Sequence, residues 1–121
     1  GVDVYRAYSH VFNMPTIYSY EEFVKHINIK LQEEVIQYPC VYTNWDNTPR
    51  SGRHGIVLKD STPELFKGHL RNAIAKVRDC NYDKRFVFIK SWNEWAEGNH
   101  LEPDLKYGKA YLEIIKNELM E

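Results

Sequence analysis

Residues Phe86 to Lys90 read FVFIK, a short run that is almost wholly apolar. A run of that kind is the signature of a β-strand covered on both faces, as strands of parallel sheets are. A second β-prone run, Tyr38 to Thr43 (YPCVYT), lies upstream. Parallel neighbours cannot be joined by a hairpin and need a crossover, usually a helix. The sequence between and around the two runs must therefore supply helices, and it does.

Ser19 followed three residues later by Glu22 is a capping-box pattern, and Phe23, Ile27, Leu31 and Val35 then recur every fourth residue. This predicts a helix over about 20–36. Ser61, Thr62, Pro63 and Glu64 give a second helix start: a cap, a proline in the first turn and an acid near the positive end of the dipole. Leu65, Phe66, Leu70, Ala73, Ile74 and Val77 supply its apolar face, and Tyr111, Leu112, Ile115 and Leu119 mark a last helix over about 107–120. Residues 1–18 fit neither the helical nor the strand period, and Pro15 interrupts them, so they read as loop.

The order helix-strand-helix-strand-helix argues for an α/β fold with parallel strands. Two strands make no protected sheet, and a closed (β/α)8 barrel takes about 250 residues. With 121 residues, no repeat and no linker, the chain reads as one unit, 1–121, belonging to a larger α/β fold. It opens at Gly1 without an initiator Met, which suits an excised piece. Strand edges left open by missing neighbours would allow self-association.

Charge excludes some partners. Sixteen basic against seventeen acidic residues give a net charge of −1, and no Lys/Arg run creates a local field, so nucleic acid is not an expected partner. No stretch approaches the ~20 apolar residues of a transmembrane segment. Cys40 and Cys80 form no CxxC or Cys/His ligand pattern, so they read as core cysteines in a reducing, cytoplasmic setting; membrane association of a parent protein stays open. Aromatic residues make up 14%, and rings in clefts stack on sugars or bases as well as filling cores.

Two polar-aromatic clusters, Trp45 to Arg50 and Trp92 to Asp104, each follow a strand, and in parallel α/β folds ligands bind at the carboxyl ends of strands. Glu94 and Glu97, three residues apart, would share one side of a helical turn, with Cβ atoms about 5–6 Å apart. At that range two carboxylates can divide acid and base roles, as glycosyl transfer or hydrolysis requires. Trp92 and Trp95 add stacking faces, and Asn93 lies between them. Asp46 could orient a sugar hydroxyl or pair with Arg50, whose fork suits a carboxylate or phosphate. Trp45 and Asn47 complete that cluster, and His100 and Glu102 extend the other as positioning or proton-transfer groups. Bland readings stand beside these: solvated loop acids, an Asp-Asn turn with a local salt bridge, a core tryptophan and a structural histidine.

Glu94, Glu97, His100, Glu102 and Asp104 could ligate a metal, but no HExxH, EF-hand or DxD spacing occurs, so no metal is expected. GxGxxG, P-loop, GxSxG and catalytic Cys/His signatures are absent too. Gly52 and Gly55 flank Arg53 and His54, suggesting a flexible loop rather than a phosphate cradle.

FIKSWNEWAEGNHLEPDLKYGKAYLE, Phe88 to Glu113, resembles the C-terminal signature of the WbsX-type glycosyltransferase family. NWDNTPR (Asn44 to Arg50) and STPELFKGHLRNAI (Ser61 to Ile74) resemble its preceding motifs in the same order, and YSYEEFVK (Tyr18 to Lys25) matches more loosely. That family is associated with O-antigen and other surface polysaccharide loci. It is similar to glycoside hydrolase family ninety-nine, the endo-α-mannosidases, which are (β/α)8 barrels with an Asn-Glu-Trp-x-Glu-Gly motif after the last strand. The resemblance implies that Glu94 acts as base on a sugar 2-hydroxyl and Glu97 as acid and then base. Where the mannosidases usually carry His, this chain has Ala96.

The resemblance further implies the last part of a TIM-like (β/α)8 barrel, inactive alone, from a bacterial enzyme of lipopolysaccharide or other surface polysaccharide synthesis. Such a transferase would act on a carbohydrate substrate and need no cofactor beyond a nucleotide-sugar donor. The alternatives are an endo-glycosidase of the endo-α-mannosidase type and a non-catalytic glycan-binding or structural domain.

Overall fold

The computed structural model describes residues 3–27 and 36–120. The chain is α/β, and its first elements correct the expectation of a loop over residues 1–18. Helix α1 (Val4–Phe12) starts at Asp3, whose carboxylate accepts the Arg6 N–H, and stops at Asn13, which takes the left-handed conformation. Pro15 thus follows the helix rather than breaking it. Val4, Tyr5, Tyr8, Val11 and Phe12 do lie one and two turns apart, but they face outward, with Val11 77% exposed. A stripe that buries nothing is hard to tell from a loop.

Strand β1 (Thr16–Ser19) follows, then α2 (Tyr20–Ile27). The Ser19 hydroxyl accepts the Glu22 N–H, as the capping pattern required, while the Glu22 carboxylate accepts the Tyr5 hydroxyl. Residues 28–35 of the expected 20–36 helix, with Leu31 and Val35, lie outside the described residues, and Ile36 is not helical.

β2 (Cys40–Tyr42) leads into three short elements that the sequence reading did not contain: β3 (Trp45–Asp46), α3 (Thr48–Ser51) and β4 (Ile56–Lys59). The Gly52–His54 segment between the last two is a 3-10 turn rather than an open loop. β4 pairs in parallel with β1 and antiparallel with β3, giving a sheet of order β1-β4-β3. α4 (Pro63–Arg78) starts where Thr62, Pro63 and Glu64 place it, the Thr62 hydroxyl accepting the Leu65 N–H.

β5 (Phe88–Lys90) runs parallel to β2, with Val41 opposite Ile89. After it come β6 (Asn93–Glu94), a 3-10 turn over Trp95–Glu97, β7 (Asn99–His100) and α5 (Ala110–Met120). The expected helix-strand-helix-strand-helix order is α2, β2, α4, β5 and α5, with the short elements inserted between.

The core lies between β2–β5 and the two long helices. Val41, Phe66, Leu70, Ala73, Leu101 and Tyr111 are buried together, and Ile89, Ile74 and Ile115 pack against them. Period-two alternation sends Cys40, Tyr42, Phe88 and Lys90 to the other face. Among the described residues that face is only partly covered, short of what the FVFIK run led us to expect: Cys40, Tyr42 and Lys90 are half-buried, Tyr42 against the Phe23 ring, but Phe88 is 56% exposed. Cys40 and Cys80 are free thiols, each partly buried, and burial raises the Cys40 thiol above its ordinary value.

α2 is tied to this core by Tyr20, fully buried, whose hydroxyl donates to the Tyr42 carbonyl and whose ring meets His69 edge-on. His69 Nε2 has no hydrogen-bond partner among the described residues. Burial, with a smaller contribution from Lys76, lowers the pKa of His69 from 6.5 to about 4. Between those two pH values the unfolded chain binds the proton that the folded chain refuses, so stability falls as pH drops from about 6.5 towards 4. Urea unfolding across that interval is expected to show this loss, and His69→Gln, which cannot take up the proton, to flatten it.

Candidate active site

Asn99 is fully buried, and its carboxamide Nδ2 donates to the Lys90 carbonyl at 2.9 Å and the Asn44 carbonyl at 2.7 Å. His100 N–H donates to Asn44 Oδ1, and Thr43 N–H to the Lys90 carbonyl. The segments that leave β2 and β5 are thereby fastened side by side at the carboxyl ends of two parallel strands. The Ser91 hydroxyl donates to the Asn99 carbonyl and accepts the Glu94 N–H, closing the β6–β7 hairpin on itself.

Gly98 makes the closest approach. Its φ is +53°, and a Cβ there would stand 3.0 Å from the Asp46 carbonyl oxygen and 3.1 Å from its nitrogen. This contact seats the Trp95–Glu97 turn against the Trp45–Asp46 strand. Glu97 Oε1 then lies 3.6 Å from the Arg50 guanidinium and Oε2 lies 3.6 Å from the Lys90 ammonium. The same ammonium sits 5.2 Å from the centre of the Trp45 ring, a cation–π distance. Glu97, Arg50, Lys90 and Trp45 therefore converge from four different elements.

Glu94 does not share a helical turn with Glu97, as had been expected. It ends β6, opposite Asn99, and precedes the 3-10 turn. Its half-buried carboxylate has no side-chain hydrogen bond or ion pair among the described residues. The β6–β7 pairing wins because Gly98, in the left-handed conformation, turns the chain back before a helix can propagate.

Asp46 spends Oδ1 on its own turn, accepting from the Thr48 N–H and hydroxyl, so Arg50 pairs with Glu97 instead. Asn47 Oδ1 accepts the Ile56 N–H and closes the base of the 47–56 loop. Trp92 and Asn93 are exposed, Trp92 by 52%. Trp95 stacks on the His100 ring at 3.7 Å, nearly parallel, and its indole N–H donates to Glu102. His100 Nε2 bonds Asp104 Oδ2 at 3.0 Å. Burial alone would push the Asp104 carboxyl up, but hydrogen bonds from the Tyr107 N–H, His100 and the Lys106 N–H together hold it below its ordinary value.

A cleft of about 480 Å³ borders the site, lined by Trp45, Asp46, Gly98 and His100 together with Asp60 and Thr62, but not by Glu94, Glu97 or Arg50. Among the described residues no group of three His, Cys, Asp or Glu could hold a metal, and no helix is long and apolar enough to cross a membrane.

Lys90, Asn44 and Asn99 were missed as site residues by the sequence reading. Lys90 had a signal, a charge ending an otherwise apolar strand at its carboxyl end; Asn99 had none, since nothing marks one polar loop residue as buried.

The model of the family described as Glycosyltransferase WbsX matches residues 3–115, nearly the whole chain. The chain belongs to the WbsX glycosyltransferase family. Two relatives from Xanthomonas campestris pv. campestris, strains B100 and ATCC 33913, each called "Uncharacterized protein WxcX", are 30% identical over 104 residues. The match covers 85% of this chain and 15% of each relative, so the chain spans a small part of their length. No solved structure matches the chain significantly.

Gly98→Ala tests the contact that seats Glu97. The left-handed backbone alone costs a Cβ-bearing residue about 1–2 kcal/mol, and here the Cβ also meets Asp46 backbone that cannot swing away. A loss of stability of that size or more is expected in urea unfolding, with the amide resonances of Asp46 and Glu97 displaced.

Proposed function

We propose that this chain carries the catalytic carboxylates and one wall of the sugar site of a WbsX-type glycosyltransferase of bacterial surface polysaccharide synthesis, such as that of O-antigen. The reading rests on one observation: Glu97, Arg50, Lys90 and Trp45 converge at the carboxyl ends of two adjacent parallel strands. Glycosyl transfer needs a group to take the proton from the acceptor hydroxyl and one to assist the leaving group. Glu97 and Glu94 supply these, with Arg50 and Lys90 each holding one oxygen of Glu97. The exposed Trp92 and Trp95 offer faces on which a sugar ring stacks. Asp46, Asn47, Asn93, His100 and Glu102 shape the surrounding turns. A nucleotide sugar is the donor, and the site works in the cytoplasm.

In the same reading β2 and β5 are the last two strands of a (β/α)8 barrel, α4 and α5 part of its outer layer, and the face bearing Phe88 and Lys90 its interior. Parallel sheets are almost always covered on both faces, and here Phe88 stands 56% exposed on one of them. The missing strands would carry most of the substrate walls, so the 121 residues alone are expected to transfer nothing.

Glu97→Gln in the polypeptide that carries the whole barrel is expected to lower turnover by about 10²-fold or more while substrate affinity changes little. Equal losses in turnover and affinity would reduce Glu97 to a binding group and remove the acid–base assignment. Sugar released to water rather than to an acceptor would make the same carboxylates those of a hydrolase.

A further inference from the structure

The Arg53-His54 pair between two glycines plays no part in the Glu97 site. It faces a pocket of about 330 Å³ formed where α1, β1 and the Gly52–His54 turn meet, lined among others by Arg6, His10, Asn13, Tyr18, Arg53 and His54. That volume lies at the lower end of small-molecule sites, roughly 300–1,000 Å³. Two guanidinium groups and two imidazoles line it, and no carboxylate does. In a chain of net charge −1, such a one-signed lining is a local feature, not a reflection of the whole.

Neither arginine forms an ion pair among the described residues. Arg53 is held in place by uncharged acceptors, Asn13 Oδ1 at 2.7 Å and His54 Nε2 at 3.1 Å. Near Arg6, the Asp3 carboxylate accepts from the Tyr18 hydroxyl and the Arg6 N–H, which hold it below its ordinary value. It therefore keeps its charge and offsets part of that of Arg6, leaving Arg53 the larger share of the attraction. Asn13 reaches Arg53 from a left-handed C-cap, so the backbone orients that contact. His10 and Asn13 belong to the end of α1, whose carbonyl dipoles repel anions, so the guanidinium groups must supply the attraction. Their planar forks match phosphate oxygens two at a time.

We propose that this pocket is a binding site for the phosphate or diphosphate group of a small molecule. It lies apart from the Glu97 residues but on the same closed loop: Arg50 reaches Glu97, and Arg53, three residues on, reaches Asn13. Free inorganic phosphate and a nucleoside diphosphate share the recognised chemistry. The proposal goes beyond the glycosyltransferase reading and is read by binding alone, so either can fail without the other.

The test is titration of the chain with sodium pyrophosphate and, separately, with UDP, followed by amide resonances. Saturable shifts are expected at Asn13, Arg53 and His54, weakening as salt is raised. Arg53→Gln should weaken binding by about tenfold, and Arg6→Gln by less. Arg6 makes no side-chain hydrogen bond or ion pair among the described residues, so its variant should keep the fold even where Arg53→Gln does not. Tighter binding of UDP than of pyrophosphate would assign the site to a nucleotide, and equal binding to the phosphates themselves; both support it. Shifts that do not saturate, equal shifts from sodium sulfate at the same concentrations, or unchanged affinity in Arg6→Gln would overturn it.

Discussion

A single buried carboxamide decides where the polar chemistry of this chain is concentrated. Asn99 comes from the β6–β7 hairpin, yet its donors go to the carbonyls of Lys90 and Asn44, the points at which β5 and the segment after β2 leave regular structure. Strand ends are where backbone carbonyls lose their ladder partners, and buried ones must find others. By answering the Asn44 carbonyl and adding a second donor to the Lys90 carbonyl, which the Thr43 N–H already reaches, Asn99 fastens the two ends into one junction. Everything the site contains hangs from that junction: Lys90 by its own carbonyl, Trp45 through Asn44, and Glu97 through the glycine beside it.

The junction also explains why the carboxylate is placed by contact rather than by helix geometry. Glu97 is placed by the seating of Gly98 on the Asp46 backbone, and two cations lie 3.6 Å from its carboxylate oxygens, longer than a direct hydrogen bond. The backbone sets the position of the carboxylate and the charges gather round it.

The sequence makes the large elements plain and hides the small ones. α4, α5 and the parallel pair β2–β5 are legible because each buries an apolar face whose period survives in the residues, from Phe66 and Leu70 to Val41 and Ile89. α1 is not, since its stripe stays largely exposed, with the Tyr5 ring meeting Tyr18 at the surface rather than entering the core. β3, α3, β6 and β7 are two to four residues long, too short for any period, and owe their existence to single side chains such as Asn47 and Asn99. The same division runs through the site. That the two post-strand clusters carry its polar residues follows from residue types and strand ends. That Glu94 and Glu97 occupy different turns, and that Asp46 caps its own turn, depends on glycine and hydroxyl geometry that spacing does not encode.

The loop closed by Asn47 has a further meaning. Its first residue holds its last through a side chain, Asn47 Oδ1 to the Ile56 N–H, and the Asn47 carbonyl accepts from Arg50 and Ser51 as well. A loop stitched at its own base does not rely on its interior for closure, and each added residue costs little entropy. The stretch from Thr48 to His54 is thus a bracket carried on its own foot: it turns Arg50 towards Glu97 and Arg53 towards Asn13, so two separate parts of the fold are reached from one short stretch that leaves the sheet beneath undisturbed.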